Sequence, residues 1–231
     1  MVAECEMPVM GDVVPVNSNR VQFHEYANLA LNWNFKIYKS MTDTAVDTVL
    51  QNIHHRQSVG HLIEPAPDAE QLELAFHAAL TAPDHHRLKP TRFVVIAGDQ
   101  REAFGSLLSE AMADLGETEV AQLERVKQHP FRAPMLVVAM TKFQEHAKVP
   151  DFEQTLSTGA AVQNFLLALQ AQGFATMWRS GAVVESGLFK KALRLEEKDL
   201  VSGIIYVGTA AKAIPPRGEI NIQDYVSDWK K

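Results

Sequence analysis

The chain has 231 residues, 46% of them hydrophobic, which is enough to bury one large core or two small ones. A formal charge of -6 and a pI near 5.8 argue against a protein that lives on nucleic acid, since phosphate contacts need a basic face. Cys5 is the single cysteine, so no intrachain disulfide and no cysteine cluster for zinc or iron–sulfur can form, and a reducing cytoplasm fits.

Residues 1–40 show no clean period of 2 or 3.6, and Glu4, Glu6 and Asp12 precede the first basic residue, Arg20, which is the wrong charge order for an export signal. They are expected to form an extension outside the main core or to lie upstream of a true translation start at Met41. The rest, 41–231, reads as one domain. Thr42 or Thr44 caps a first helix with Val46, Val49, Leu50 and Ile53 at helical spacing. Asp68 and Gln71 form a capping box for a second, carrying Leu72, Ala75, Phe76, Ala79 and Leu80. Arg92–Ala97 is predicted as a strand, Gln100–Leu115 as a helix with Phe104, Leu107, Leu108, Ala111 and Leu115 inward, and Glu119–Gln128 as a helix capped by Thr118. Met135–Phe143 reads as a strand buried on both faces. Its apolar run is far shorter than the roughly 20 residues of a membrane helix, so no membrane insertion is expected.

The longest helical pattern follows. Pro150 suits its first turn and Gly173 its stop, and Val162, Phe165, Leu166 and Leu169 spread around the cylinder as in a helix packed on several sides. Phe174–Trp178 is a short strand delivering Arg179 and Ser180 to a turn at Gly181. Ser186–Leu195 is a further helix and Leu200–Gly208 a last core strand. Four short strands separated by helices predict a single layered α/β or α+β domain.

No glycine-rich turn follows any strand, so a nucleotide would have to be held without a Rossmann turn or P-loop. Arg56 and Ser58 offer a guanidinium fork and a hydroxyl suited to a phosphate; the competing reading has Arg56 offsetting the dipole of the helix it ends. His54-His55 and His85-His86 are adjacent pairs, which diverge by about 100 degrees on a helix, so metal ligation is not expected. Asp84-His85 is a candidate acid/base pair for a hydrolase, without a nucleophile signature beside it. Arg179 beside Trp178 suits either a surface ion pair or a flat, amphipathic ligand.

Six stretches in order, HRQS at 55–58, EPAP at 64–67, APDH at 82–85, HPFRAPMLVV at 129–138, HAKVP at 146–150 and QGFATMWRSGA at 172–182, resemble the FMN-dependent nitroreductase family, in its small YdjA-like branch of NAD(P)H nitroreductases. The resemblance covers roughly Thr42 to Gly208. It implies an α+β sandwich with a central, mainly antiparallel sheet flanked by helices, in a homodimer that shares two FMN sites across its interface. Arg56, Gln57 and Ser58 then occupy the positions that hold the phosphate and ribityl end of FMN, Thr81 and His85 reach it from the partner subunit, and Trp178, Arg179 and Ser180 lie against the flavin. Many relatives carry arginine where Thr81 stands here. Lys212 or Arg217 is the candidate for a further phosphate contact from the tail. The implied activity is ping-pong hydride transfer from NAD(P)H through FMN to a small electron-poor acceptor such as a nitroaromatic or quinone. No protein catalytic residue and no metal are called for. A flavin carrier or redox sensor with little turnover is the alternative.

Overall fold

The computed structural model describes residues 45–229. The caps expected at Thr42 or Thr44 and the boundary between residues 40 and 41 lie outside the described residues. One compact unit runs from Ala45 to Glu219. The described part of a second, Ile220–Trp229, holds a single 3-10 turn, Ile222–Asp224, started by the Asn221 side chain.

Within the main unit the helices are α1 (Ala45–His55), α2 (Ala69–Ala79), α3 (Gln100–Asp114), α4 (Val120–Lys127), α5 (Asp151–Ala171) and α6 (Gly187–Ala192). The strands are β1 (Leu62–Ile63), β2 (Thr91–Ala97), β3 (Met135–Thr141), β4 (Ala175–Arg179) and β5 (Leu200–Ala210). The sheet runs β1-β5-β3-β2, with β4 also paired to β5, and every strand pair is antiparallel. This is an α+β fold. β3 is central and buried at all seven positions, which is why its sequence is continuously apolar rather than alternating.

Two cores sit on the two faces of the sheet. One gathers Phe104, Leu108, Leu136, Phe189, Ile204 and Tyr206 under α3 and α6. The other packs Val162, Phe165, Leu166 and Leu169 of α5 on Val137, Ile205 and Val207, with Phe165 stacked on Phe76 at 5.0 Å between ring centroids. A fully buried side chain here, such as Phe165, Leu169 or Phe189, contributes about 1.5–3 kcal/mol.

Local signals place most boundaries. Asp68 and Gln71 form the capping box at α2, Ser186 caps α6 through its hydroxyl, and Gly173 ends α5 with φ at +90°. Several expectations need correction. Pro150 stands one position earlier than expected, at the N-cap of α5. Thr118 does not cap α4; Glu119 holds the cap position with no side-chain hydrogen bond. Leu115, read as inward, and Leu80, read as part of its helix's apolar pattern, are 43% and 64% exposed, each standing at the C-cap one residue past its helix. Strand β1, only two residues long, escaped the pattern search.

Val49, Leu50 and Ile53 of α1 have helical spacing yet are 59%, 45% and 44% exposed. On α5, Phe152 and Leu156 are also exposed, and Gly159 follows on that stripe with open space where a side chain would stand. Among the described residues no helix is long and apolar enough to cross a membrane.

Candidate functional site

Helix α1 ends at His55, and the chain then turns extended so that Ser58 bridges Thr176 of β4 in parallel, with the Val59 amide donating to the Thr176 carbonyl at 2.9 Å. That bridge carries Arg56-Gln57-Ser58 to the start of the strand that ends in Trp178 and Arg179. Two sequence-distant candidates are thereby neighbours.

The tail completes this corner. Arg217 donates from Nε to the His54 carbonyl at 3.3 Å and from its terminal nitrogen to the Arg56 carbonyl. These are orphan carbonyls at the end of α1, where a cation also meets the negative end of the helix dipole. Arg217 therefore takes the helix-end role that competed for Arg56. The Arg56 side chain, half-buried, is left without an acidic partner among the described residues. Burial first, and the neighbouring Arg217 charge second, lower its pKa from the ordinary arginine value. Both effects mean that Arg56 sits where an anion would relieve it. Gln57 turns elsewhere: its amide donates to the Pro215 carbonyl at 2.7 Å and lines a cleft of about 550 Å³ between α1, the end of α5, the start of β4 and Ile214–Pro216. Among the described residues, no hydrogen bond brings Lys212 into this corner.

Beyond the bridge, β4 splits its functional candidates between two faces, since successive strand residues point oppositely. Trp178, 39% exposed, donates from its indole nitrogen to the Ser202 carbonyl at 3.1 Å and lies against Gly203. This contact depends on a bulge in β5: Ala139 pairs with Gly203 and Met140 with Val201, so Ser202 is the extra residue and its carbonyl is available. A glycine inside an apolar strand was the signal for that bulge. Arg179 points to the opposite face from Trp178, and Ser180 and Gly181 are exposed beyond it.

Thr81 and His85 lie after α2. The Thr81 hydroxyl bonds back to the Ala78 carbonyl at 2.7 Å. His85 Nδ1 meets Glu153 Oε2 at 2.6 Å, a partner in the first turn of α5 that sequence reading missed. The carboxylate favours the tautomer with hydrogen on Nδ1, leaving Nε2 outward. His86 and His146 continue the ring contacts, with centroids 4.8 Å and 4.5 Å apart. The loop is held in an uncommon shape: His86, Arg87 and Lys89 all have positive φ, near 59°, 55° and 53°. Asp84 supports it by accepting the Leu88 and Lys89 amides at 3.1 Å and 2.7 Å, and Ser157 donates to the Pro83 carbonyl at 2.8 Å. Asp84 is thus committed to the backbone and His85 to Glu153, so the Asp84-His85 acid/base pair does not form. Among the described residues no group of three or more His, Cys, Asp or Glu could hold a metal ion.

The chain is similar to known proteins in sequence and fold. Residues 53–209 match the model described as "Nitroreductase family". The Escherichia coli K12 protein named "Putative NAD(P)H nitroreductase YdjA" is 39% identical over 160 residues, 69% of this chain and 87% of the relative. A Haemophilus influenzae protein named "Putative NAD(P)H nitroreductase" is 38% identical over 176 residues, 74% of this chain and 94% of the relative. Among solved structures, a nitroreductase-like family protein from Bacillus cereus superposes with a TM-score of 0.70 at 21% identity, covering 83% of this chain and 99% of the other. A nitroreductase with bound FMN from Desulfitobacterium hafniense superposes with a TM-score of 0.60 at 20% identity, covering 82% and 100%. With the matched segment spanning every strand but the last residue of β5, and with α1 joined to β4 through Ser58, the chain belongs to the nitroreductase family.

Proposed function

We propose that the protein is an FMN-dependent NAD(P)H oxidoreductase that works as a homodimer on small electron-poor acceptors such as nitroaromatics or quinones, with residues 41–231 as the flavin-binding domain and 1–40 as an extension. The observation that carries this reading is the half-buried Arg56 guanidinium, which lacks an acid among the described residues while Arg217 occupies the end of α1. A phosphate with charge of about -1.5 to -2 fits that corner, and a guanidinium fork meets its oxygens in pairs.

When bound, FMN would supply the hydride chemistry, accepting from NAD(P)H and passing on to the acceptor in a ping-pong cycle. The chain's own part is binding, orientation and charge. Arg56, Ser58 and Arg217 would hold the phosphate end. Trp178, fixed on the β5 bulge, would set the position of the 178–181 turn, whose donors, together with Arg179, stabilise negative charge at the flavin edge. Thr81 and His85 would act from the second chain, with Glu153 fixing the His85 ring. The exposed stripe of Phe152 and Leu156, leading to open space at Gly159, supports a second copy as its cover, as do Val49, Leu50 and Ile53.

Anaerobic mixing tests this reading. NADH or NADPH should bleach the visible flavin band of the purified protein, an added nitroaromatic should restore it, and initial rates should give parallel double-reciprocal lines. Intersecting lines would refute the ping-pong cycle. Slow bleaching with tight flavin retention would point instead to a carrier.

A further inference from the structure

The cleft into which Gln57 turns is a different place from the Arg56 corner: Gln57 lines it, whereas Arg56, Ser58 and Arg217 do not. Its volume of about 550 Å³ falls within the range of small-ligand sites. Ala171, Gly173 and Ala210 line it where longer side chains would fill it, and α1 supplies Gln51, Asn52 and His55. A strap, Ile214-Pro215-Pro216, closes one side. That strap is tied to the exit of α1 at two points, by Gln57 Nε2 donating to the Pro215 carbonyl at 2.7 Å and by Arg217 donating to the His54 carbonyl at 3.3 Å.

Thr176 supplies the second observation. On β4, Ala175 and Met177 belong to the core under α3 and α6 and Phe174 to the core under α5, so alternation turns Thr176 to the α5 side, where the cleft lies. Thr176 is 3% exposed, yet among the described residues its hydroxyl makes no hydrogen bond. A buried hydroxyl without a partner is costly, and a ligand in the cleft would meet it. Gln57 makes a similar offer: with Nε2 committed to Pro215, Oε1 is left to accept. No Asp, Glu, Lys or Arg lines the cleft, so no fixed charge there would balance a charged ligand.

We propose that this cleft binds an uncharged nitrogen heteroaromatic ring with the chemistry of an aminopurine, its faces against Phe174, Ile214 and the two prolines and its edge on the Thr176 hydroxyl and the Gln57 carbonyl. The hydroxyl can give or take a hydrogen bond and the Gln57 carbonyl can only take one, so the matching edge carries a donor beside an acceptor. An aminopurine has both. A quinone or a nitroarene offers acceptors alone, and a hydrocarbon offers neither. For its place in the reaction the proposal rests on the oxidoreductase reading, in which a reduced nicotinamide cofactor brings an adenine to the protein. The ring has two sources: the adenine half of NAD(P)H, or a separate purine nucleoside.

Calorimetry on the protein as purified, with adenosine and purine riboside as probes, tests it. Thr176→Val keeps the shape of the side chain and removes the hydroxyl, so adenosine should bind roughly 2- to 10-fold more weakly. Purine riboside, which lacks the amino donor, should bind the wild type more weakly than adenosine by a similar factor. Ala171→Phe fills the cleft from the exposed end of α5 and should abolish both isotherms. Displacement of adenosine by NADH, with a raised KM for NADH and NADPH alike in Ala171→Phe, assigns the ring to the donor. Adenosine binding that persists under saturating NADH, with both KM values unchanged, assigns it to a separate nucleoside. No heat from adenosine at millimolar concentration overturns the site, as does equal adenosine affinity in the wild type and either variant, each folded by circular dichroism. These isotherms need no hydride transfer, so they fail separately from the flavin reading, which falls if the purified protein carries no flavin.

Discussion

Gly203→Ala tests how the 178–181 turn is positioned. Gly203 has φ at +147°, in a region open essentially to glycine alone, and follows the bulged Ser202. A Cβ built there would lie 2.2 Å from the Trp178 indole nitrogen, 2.7 Å from its Cδ1 and 2.9 Å from the Arg179 carbonyl oxygen. The indole can swing away only by giving up its hydrogen bond to Ser202, and the Arg179 carbonyl belongs to the β4 backbone. Backbone strain of about 1–3 kcal/mol and overpacking of about 1–3 kcal/mol together predict a loss of about 2–6 kcal/mol. Urea unfolding at fixed protein concentration, read as a shift in midpoint at constant slope, measures it. In a Trp178→Ala background the ring is gone, so the same substitution should cost about 1–2 kcal/mol less, leaving the backbone share. A loss below about 0.5 kcal/mol, or additivity of the two changes within about 0.5 kcal/mol, would refute the reasoning.

Arg56→Ala should weaken FMN retention roughly 10- to 100-fold, the worth of a charge-assisted contact of about 1.5–3 kcal/mol, and flavin content unchanged after dialysis would contradict that role. Leu156→Glu places a charge on the exposed stripe of α5, so light scattering at micromolar concentration should show the mass of the wild type halved; a wild type already monomeric would sink the dimer. His129 has a pKa below the ordinary value near 6.5, so below that value the unfolded chain binds the extra proton. Stability should therefore fall as pH drops from about 6.5 through the lowered folded value, and His129→Gln should flatten that slope; superimposable pH profiles would exclude His129 as a source. Glu153→Ala should remove the carboxylate that holds hydrogen on His85 Nδ1, so the imidazole 15N shifts that report the tautomer should change, and unchanged shifts would deny the pair.

Continuous apolar runs made β3 and β5 readable, and the same composition all around the cylinder made α5 readable as a helix buried on several sides. The capping box at Asp68 and the glycine stop at Gly173 placed helix ends because each acts within four residues. What stayed hidden depended on distance along the chain. Arg217 reaches the end of α1 from 161 residues away, and only that contact separates the two readings of Arg56. Likewise, Glu153 meets His85 across 68 residues and removes the hydrolase pairing with Asp84. Periodicity also cannot say which molecule covers an apolar face. Val49, Leu50 and Ile53 have the spacing of a buried stripe, yet they face outward in the single chain. The family motifs brought Trp178 and Arg179 together as one element, whereas strand alternation sends the indole to the β5 bulge and the guanidinium to the opposite face.

The central claim, that an acid-free Arg56 corner holds the phosphate of a flavin, is tested most directly by the visible absorbance of wild type and Arg56→Ala after extended dialysis. The account predicts a flavin spectrum near one equivalent per chain in the wild type, bleached by a reduced nicotinamide, and a largely colourless variant that regains the band when FMN is added at high concentration. A colourless wild type that does not take up added FMN would contradict it.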